Sequence, residues 1–494
     1  MGLGRLVRQS SLYLVGNIAS RAVGFLLVPL YAHYLSPAEY GLVDLIDLMI
    51  MVITLCVGVS ALGTALVRIY YELPDESDRK VLSSTAFALV ILLSLPISLA
   101  GILLARPLSR LMFHSDANAA IIMAFFVAMF FGNIMEISAT FVRLRERVAM
   151  IVTYSVGTLV AAAGFNIFFI AYQRRGIWGF VLSKLIVGTG GALLLLMLNL
   201  RHTGLHFNWA YARRMFRFAA PLIACGLAVF TLHFSDRFFL NAYGYQTQLG
   251  QYALGYRFAF MLPILIAEPF SKAWSVSFYK FAEDPAWQSV FSRVLRNLLF
   301  LMVLGALGLS LFSRPALLLM VTPAYRPALY VIPVVSFAYV FRQAGDFYRD
   351  LLLISRKSFL IGQLTVIVAA VNIALNFAWI PRYGMYGAAW ATFVSWFAYM
   401  FTLWTAAYRQ HRFPFPVFSL GTTMGLSFLT LLGAEHTTPD SFWGSMATGT
   451  AWTLAFLLVI WVIGYFPKSE IAEMTDRVKM LRRTAVDWAK GTAA

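Results

Sequence analysis

The sequence predicts an all-α polytopic membrane protein with about fourteen transmembrane helices. Three observations predict it. Apolar runs of about 20 residues, each long enough to cross a ~30 Å hydrocarbon core, recur from end to end. Hydrophobic residues make up 60% of the chain and charged residues only 12%, a membrane balance rather than a globular one. Lys and Arg concentrate in alternate connectors, the asymmetry that orients a polytopic protein.

The runs lie near 8–34, 40–70, 81–104, 117–141, 149–172, 177–199, 216–242, 249–272, 290–313, 328–350, 358–380, 385–408, 417–434 and 442–466. The first is too long for a cleavable signal peptide and is expected to remain as a span. An even number of spans puts both termini on one side. With the amino terminus in the cytoplasm, most Lys and Arg fall in cytoplasmic segments and few in outward loops. The net charge of +17 is therefore expected to reflect topology, not nucleic-acid binding. The segment at 201–217 is basic, and its FNWAY stretch at 207–211 suits an interfacial position. At 468–490, Ile471, Met474, Val478, Leu481, Ala485 and Trp488 form one apolar stripe among Lys and Arg, as in an amphipathic helix lying on the anionic cytoplasmic leaflet. A partner-binding helix is the competing reading of that stripe.

Catalytic signatures are missing. No connector is long enough for a soluble catalytic domain, and there is no phosphate-binding loop or nucleophile elbow. The seven histidines are scattered, so neither a metal nor a cofactor is expected. Cys56 and Cys225 lie within apolar runs and are expected to be small core residues without a disulfide.

Punctuation inside the apolar pattern is more specific. NFAWIPRYGMYGAAWAT at 376–392 closes one run, is expected to turn on Pro381, Arg382 and Tyr383, and opens another run through Gly384 and Gly387. Those two glycines lie three apart, where a second backbone can approach closely. NIFFIAYQRRGIWG at 166–179 is a weaker copy about 208 residues earlier, the pattern of a chain built as two related halves. LSPAEYG at 35–41 opens the second run, and LGQYALG at 249–255 is its looser counterpart. Together with SDRFFL at 235–240, these strings resemble the polysaccharide flippases (Wzx type) of the multidrug/oligosaccharidyl-lipid/polysaccharide exporter superfamily. The resemblance runs from the first span through the twelfth. It implies two six-helix lobes around a central cavity plus two extra helices: an N-terminal lobe at 1–200, a connector at 201–217, a C-terminal lobe at 218–408, two helices at 409–467 and the tail at 468–494.

Charge inside the membrane costs at least ~2.5–3.5 kcal/mol per residue on insertion scales, so each such group needs a reason. Glu268 with Lys272, Arg342 with Asp346, and Asp346 with Arg349 are spaced to pair on their own helices. Arg21, Lys184 and Arg257 have no acid three or four residues away. They are left to pair across helices with Asp44, Asp47 or Asp236, or to receive an anion such as pyrophosphate. Asp236 and Arg237 are neighbours that point ~100° apart, so they are not expected simply to neutralise each other.

The resemblance implies a transporter that makes and breaks no bond. It would move a polyprenyl-pyrophosphate-linked oligosaccharide from the cytoplasmic to the outer leaflet of the bacterial inner membrane by alternating access. Arg21, Arg257, Arg342 and Lys184 are the expected anion-binding residues; Asp44, Asp47, Asp236 and Arg237 are the expected gating or ion-coupling residues. The expected partners are the lipid-linked substrate, membrane lipids and a polysaccharide polymerase or other assembly proteins, with no nucleic acid. A lipid II flippase and an ion-coupled drug exporter of the same superfamily remain open. A membrane-embedded glycosyltransferase or ligase is disfavoured by the short outward loops, and a non-transporting scaffold is the remaining class.

Overall fold

Ser36, Pro37 and Glu39 start the first long helix of the computed structural model, which describes residues 25, 27–145, 147–282 and 287–466. The Glu39 amide donates to Ser36 Oγ at 3.3 Å, and the Ser36 amide donates to Glu39 Oε2 at 2.9 Å. This capping box satisfies donors that a helix start otherwise leaves unpaired, while Pro37 has no N–H to satisfy. Much of the LSPAEYG string is thus a helix-start signal.

In chain order the helices are α1 (Val28–Tyr34), α2 (Pro37–Val57), α3 (Val59–Glu72), α4 (Glu76–Leu103), α5 (Ala105–Phe113), α6 (Ala119–Leu144), α7 (Val148–Asn166), α8 (Ile177–Thr203), α9 (Trp209–Ala242), α10 (Gln246–Ala259), α11 (Glu268–Ala282), α12 (Trp287–Met320), α13 (Ala328–Ile354), α14 (Ser358–His411), α15 (Val417–Thr437) and α16 (Phe442–Val462). Wider π-helical turns follow α7 at Ile167–Tyr172 and precede α11 at Pro263–Ala267. No strand occurs among the described residues. Among the described residues, twelve helical stretches are long and apolar enough to cross a bilayer. At 54 residues α14 is far too long for one crossing; it breaks at Gly384 and supplies two. The chain is therefore an all-α integral membrane protein. Most of the first expected span, including Arg21, and the expected tail at 468–490 lie outside the described residues.

Several expectations are corrected. The run at 40–70 is two helices, because Gly58 adopts a left-handed conformation (φ 78°) that ends α2. Its amide still donates to the Thr54 and Leu55 carbonyls, so the break leaves no orphan donor there. The hairpin at 376–392 turns at Gly384 rather than at Pro381: helix continues through the proline, and only glycine readily takes φ 54°, ψ −132°. The segment after the run at 81–104 is helical as well, forming α5, with Arg110 Nε donating to Asp116 Oδ1 at 2.6 Å. Cys56 and Cys225 are exposed, not core residues; in a membrane, outward helix faces are as apolar as the core.

The internal repeat is visible in the backbone. Gly176 has φ 53°, ψ −133°, almost the conformation of Gly384. Three residues on, a Cβ at Gly179 would meet Phe169 backbone at 3.0 Å, and one at Gly387 would meet Trp379 O at 2.6 Å. Each hairpin also opens on a buried asparagine. Asn166 donates to Ser183 Oγ at 3.0 Å, and Asn376 donates to Ser235 Oγ at 3.1 Å. The two copies share a turn geometry and a way of satisfying a buried amide.

The described residues form two compact units. One comprises those up to Met261 together with Leu317–Gln410; the other comprises Leu262–Ala316 and those from His411 onward. In the second, Arg314 pairs with Asp440, Trp452 Nε1 donates to Thr437 Oγ1 at 2.9 Å, and the Trp287 ring stacks on Phe413 at 5.9 Å. In the first, α2 packs along α10 and α9, and α6 packs along α8 and α4.

The Gly384 turn yields a direct check. Gly384→Ala forces an L side chain into a strained conformation and against Gln248, whereas Gly362→Ala adds a methyl within the same helix where nothing lies within 4 Å. Gly384→Ala is expected to cost about 1–3 kcal/mol, seen as a lower midpoint of thermal unfolding in detergent, and Gly362→Ala is expected not to destabilise.

Candidate functional site

Tyr40, Asp44 and Asp47 are spaced four and three residues apart and so share one face of α2. Each meets a cation from a different helix. Arg257 Nη1 of α10 donates to Tyr40 OH at 2.9 Å, Arg237 Nε of α9 donates to Asp44 Oδ2 at 2.9 Å, and Lys184 Nζ of α8 pairs with Asp47. From Pro37 to Asp47 the helix rises about 15 Å, roughly half a hydrocarbon core. The stripe therefore runs from one end of the helix toward mid-membrane depth.

The three contacts differ in burial. The Arg237 and Asp236 side chains are 3% and 2% exposed. Arg237 Nη1 donates to Asp236 Oδ1 at 3.1 Å and to the His233 carbonyl at 3.2 Å, and its guanidinium lies 4.1 Å from the Tyr256 ring centroid. Asp236 also accepts from Tyr252 OH and, at 3.2 Å, from Thr392 Oγ1. This contradicts the expectation that adjacent Asp236 and Arg237 would not neutralise each other. The arginine side chain is long enough to fold back along the helix, and Asp236 Oδ1 accepts the Arg237 amide at 2.9 Å as well. Asp236 receives two donors on each oxygen, and Arg237 places three of its five N–H donors, the pairing that buried ions need.

Lys184 and Asp47 are open by comparison, at 39% and 38% side-chain exposure. Arg257 is exposed, and among the described residues it has no carboxylate within ion-pair distance. One of its five N–H donors goes to Tyr40, and Asp44 acts on its charge from beyond ion-pair distance. Of the expected anion-binding residues, Arg257 best fits that role; Lys184 fits it only in competition with Asp47. Arg342 belongs to a neighbouring cluster. Its Nε lies 3.8 Å from Asp346 Oδ2, and Asp346 also holds Arg349 at 2.7 Å and accepts from Tyr399 OH at 3.1 Å. Arg342 lies over the Tyr339 and Trp396 rings. Tyr339 OH donates to Tyr256 OH at 2.9 Å, so a tyrosine pair beside buried His233 links the Arg342 and Arg237 clusters. Arg21 lies outside the described residues.

Sequence reasoning missed Tyr40, Tyr252, Tyr256, Tyr339, His233 and Thr392. One available signal was the tyrosine pair at 252 and 256, one helical turn apart and just before Arg257. No group of three or more His, Cys, Asp or Glu suited to a metal occurs among the described residues.

The segments 35–41, 249–255 and 376–392 converge beside this stripe. A Cβ on Gly41 would meet the Gly250 amide nitrogen at 2.6 Å, and one on Gly250 would overlap the Pro37 carbonyl. Helices α2 and α10 therefore touch backbone to backbone. Gly250, rather than Gly255, is the partner of Gly41; Gly255 packs against Ala328 and Val331. Gln248 at the start of α10 accepts the Met385 amide at 2.9 Å, Tyr245 OH donates to the Pro381 carbonyl at 3.0 Å, and Tyr325 OH donates to the Leu35 carbonyl at 3.0 Å. These contacts seal this end of the α2–α10 interface.

Burial separates the two arginines by experiment. Arg237→Ala strands Asp236 in an enclosed site and is expected to cost about 3–5 kcal/mol. Arg257→Ala removes one hydrogen bond from an exposed side chain and is expected to cost about 1 kcal/mol or less. Thermal unfolding of both variants in one detergent checks the difference.

Residues 30–330, more than half of the chain, match the family model described as polysaccharide biosynthesis protein. No curated protein matches. Among solved structures, the lipid II flippase MurJ in an inward closed conformation superposes with a TM-score of 0.73 at 15% identity, covering 91% of this chain and 98% of that one. A multidrug resistance MATE family transporter of the MOP superfamily, inward-facing, gives 0.62 at 13% identity, with 79% and 96% covered. A point mutant of the MATE transporter VcmN of Vibrio cholerae gives 0.54 at 15% identity, with 83% and 97% covered. At these identities the likeness concerns the fold alone. The chain thus belongs to the polysaccharide biosynthesis protein family and carries the fold shared by MurJ and the MATE transporters.

Proposed function

We propose that this protein is a flippase that carries a polyprenyl-pyrophosphate-linked oligosaccharide from the cytoplasmic to the outer leaflet for cell-surface polysaccharide assembly. The observation that carries this reading is Arg257: a membrane-embedded, exposed guanidinium with no carboxylate partner among the described residues, in a chain of the polysaccharide biosynthesis family. Such a group is costly unless it serves an anion, and a guanidinium grips a phosphate bidentately. Lys184 is the second donor. The substrate diphosphate competes with Asp47 for it, so loading the site frees a carboxylate on α2. Positive-inside asymmetry supports cytoplasmic termini in the bacterial inner membrane, which makes the sealed end around Gly41 and Gly250 the outer end.

Alternating access between two six-helix lobes then requires α2 to part from α9 and α10. Arg237 keeps Asp236 as a partner on its own helix when this happens, whereas Asp44 loses its cation. A lone Asp44 in a low-dielectric site takes up a proton or a cation, so the Asp44–Arg237 contact is the natural coupling point for a gradient. Nothing in this cycle makes or breaks a covalent bond.

The test is the sidedness of lipid-linked oligosaccharide in cells depleted of the protein. It is expected to accumulate on the cytoplasmic leaflet and to be cleared by wild type. Arg257→Ala combined with Lys184→Ala should clear it about 10–100-fold more slowly, the loss of one or two charge-assisted contacts. Absence of accumulation, accumulation of lipid II instead, or full clearance by the double variant overturns the reading.

A further inference from the structure

A groove of about 680 Å³ opens between α7 and α8, away from the stripe on α2. No charged side chain lines it. Its floor is cut by Gly157 on α7 and Gly190 on α8, and a Cβ built on either meets nothing within 4 Å. The helices therefore leave unfilled a space that close packing would normally remove. α7 is also the least enclosed span, with 11% of its apolar window buried. Tyr154 lies along the groove, and its hydroxyl is buried with no hydrogen-bond partner. One wall continues the site: Lys184, Val187 and Gly191 succeed one another along α8 at intervals of three and four residues, so Lys184 lies at the edge of the groove face, about one turn beyond its lining.

We infer that this groove holds the polyprenyl tail of the substrate while its diphosphate is held by Lys184 and Arg257, an inference that rests on the function proposed above. A cation at one end and an uncharged channel along the same helix match an anionic headgroup joined to a hydrocarbon. The Gly157 and Gly190 notches take methyl branches that a straight acyl chain lacks. Tail burial in the groove keeps the headgroup in register with the cations.

The test uses the full chain in nanodiscs and two photoreactive probes: a diazirine-tailed polyprenyl pyrophosphate disaccharide and a diazirine-tailed phosphatidylglycerol. The prenyl probe is expected to label peptides of α7 and α8 and to be displaced by unlabelled polyprenyl pyrophosphate but not by phosphatidylglycerol. Gly157→Leu with Gly190→Leu fills the groove from two positions where an added Cβ meets nothing within 4 Å, and labelling should fall about tenfold, the effect of excluding roughly two methylenes. Gly425→Leu, also in open space on α15, should label as wild type does. Equal labelling by the phospholipid probe, or undiminished labelling of the filled groove, overturns the inference. Labelling elsewhere while flipping persists overturns the groove alone; no specific labelling together with no flipping overturns the functional reading.

Discussion

The contact between Asp44 and Arg237 joins α2 to α9, and much of the first compact unit is arranged so that this contact can exist in a membrane. Arg237 in hydrocarbon needs its charge balanced and its donors filled. Asp236 gives the first acid, Asp44 the second, the His233 carbonyl takes a further donor, and the Tyr256 ring faces the cation. Asp236 needs donors in turn, and Tyr252 and Thr392 bring α10 and α14 to it. One buried ion pair thus recruits four helices.

About one helical turn from Asp44, α2 meets α10 without side chains. Gly41 and Gly250 let the two helices touch through their backbones, so any residue larger than glycine there would push them apart. Close approach of this kind is how membrane helices gain packing energy when lipid is as apolar as they are. It also makes the interface discrete, because two touching backbones are either in contact or separated by a whole side-chain layer. A transporter that alternates between open and sealed ends has use for that property.

Opposite this rigid corner, the site is loose. Lys184, Asp47 and Arg257 are open enough for their contacts to be exchanged for a ligand, and exposed pairs of this kind are individually weak. The enclosed Arg237 of α9 holds α2 through Asp44, and the more open Lys184 and Arg257 reach the same helix at Asp47 and Tyr40. Arg237 and Arg257 illustrate the distinction: the same residue type lies 20 residues apart on consecutive helices, one enclosed and one exposed.

By itself the sequence determined the fold class and the hairpins at 166–179 and 376–392, because these rest on local physics, and its motif strings carried the resemblance to the family. Apolar run length, a capping box at Ser36–Glu39 and glycines at obligatory positive φ leave marks within a few residues. It also named Asp44, Asp47, Lys184, Asp236, Arg237 and Arg257, since charge in an apolar run is conspicuous. What each charge does was decided by tertiary structure. Lys184 and Asp47 lie 137 residues apart and Arg237 and Asp44 lie 193 apart, so no spacing rule reaches them. Tyr40, Tyr252 and Thr392 left no distinct mark because tyrosine and threonine are common in membrane helices and become site residues only through the helix they face. The break at Gly58 and the turn at Gly384 rather than Pro381 were settled the same way: a proline weakens a helix, but the chain turns where a glycine can adopt a conformation that the neighbouring helices leave room for.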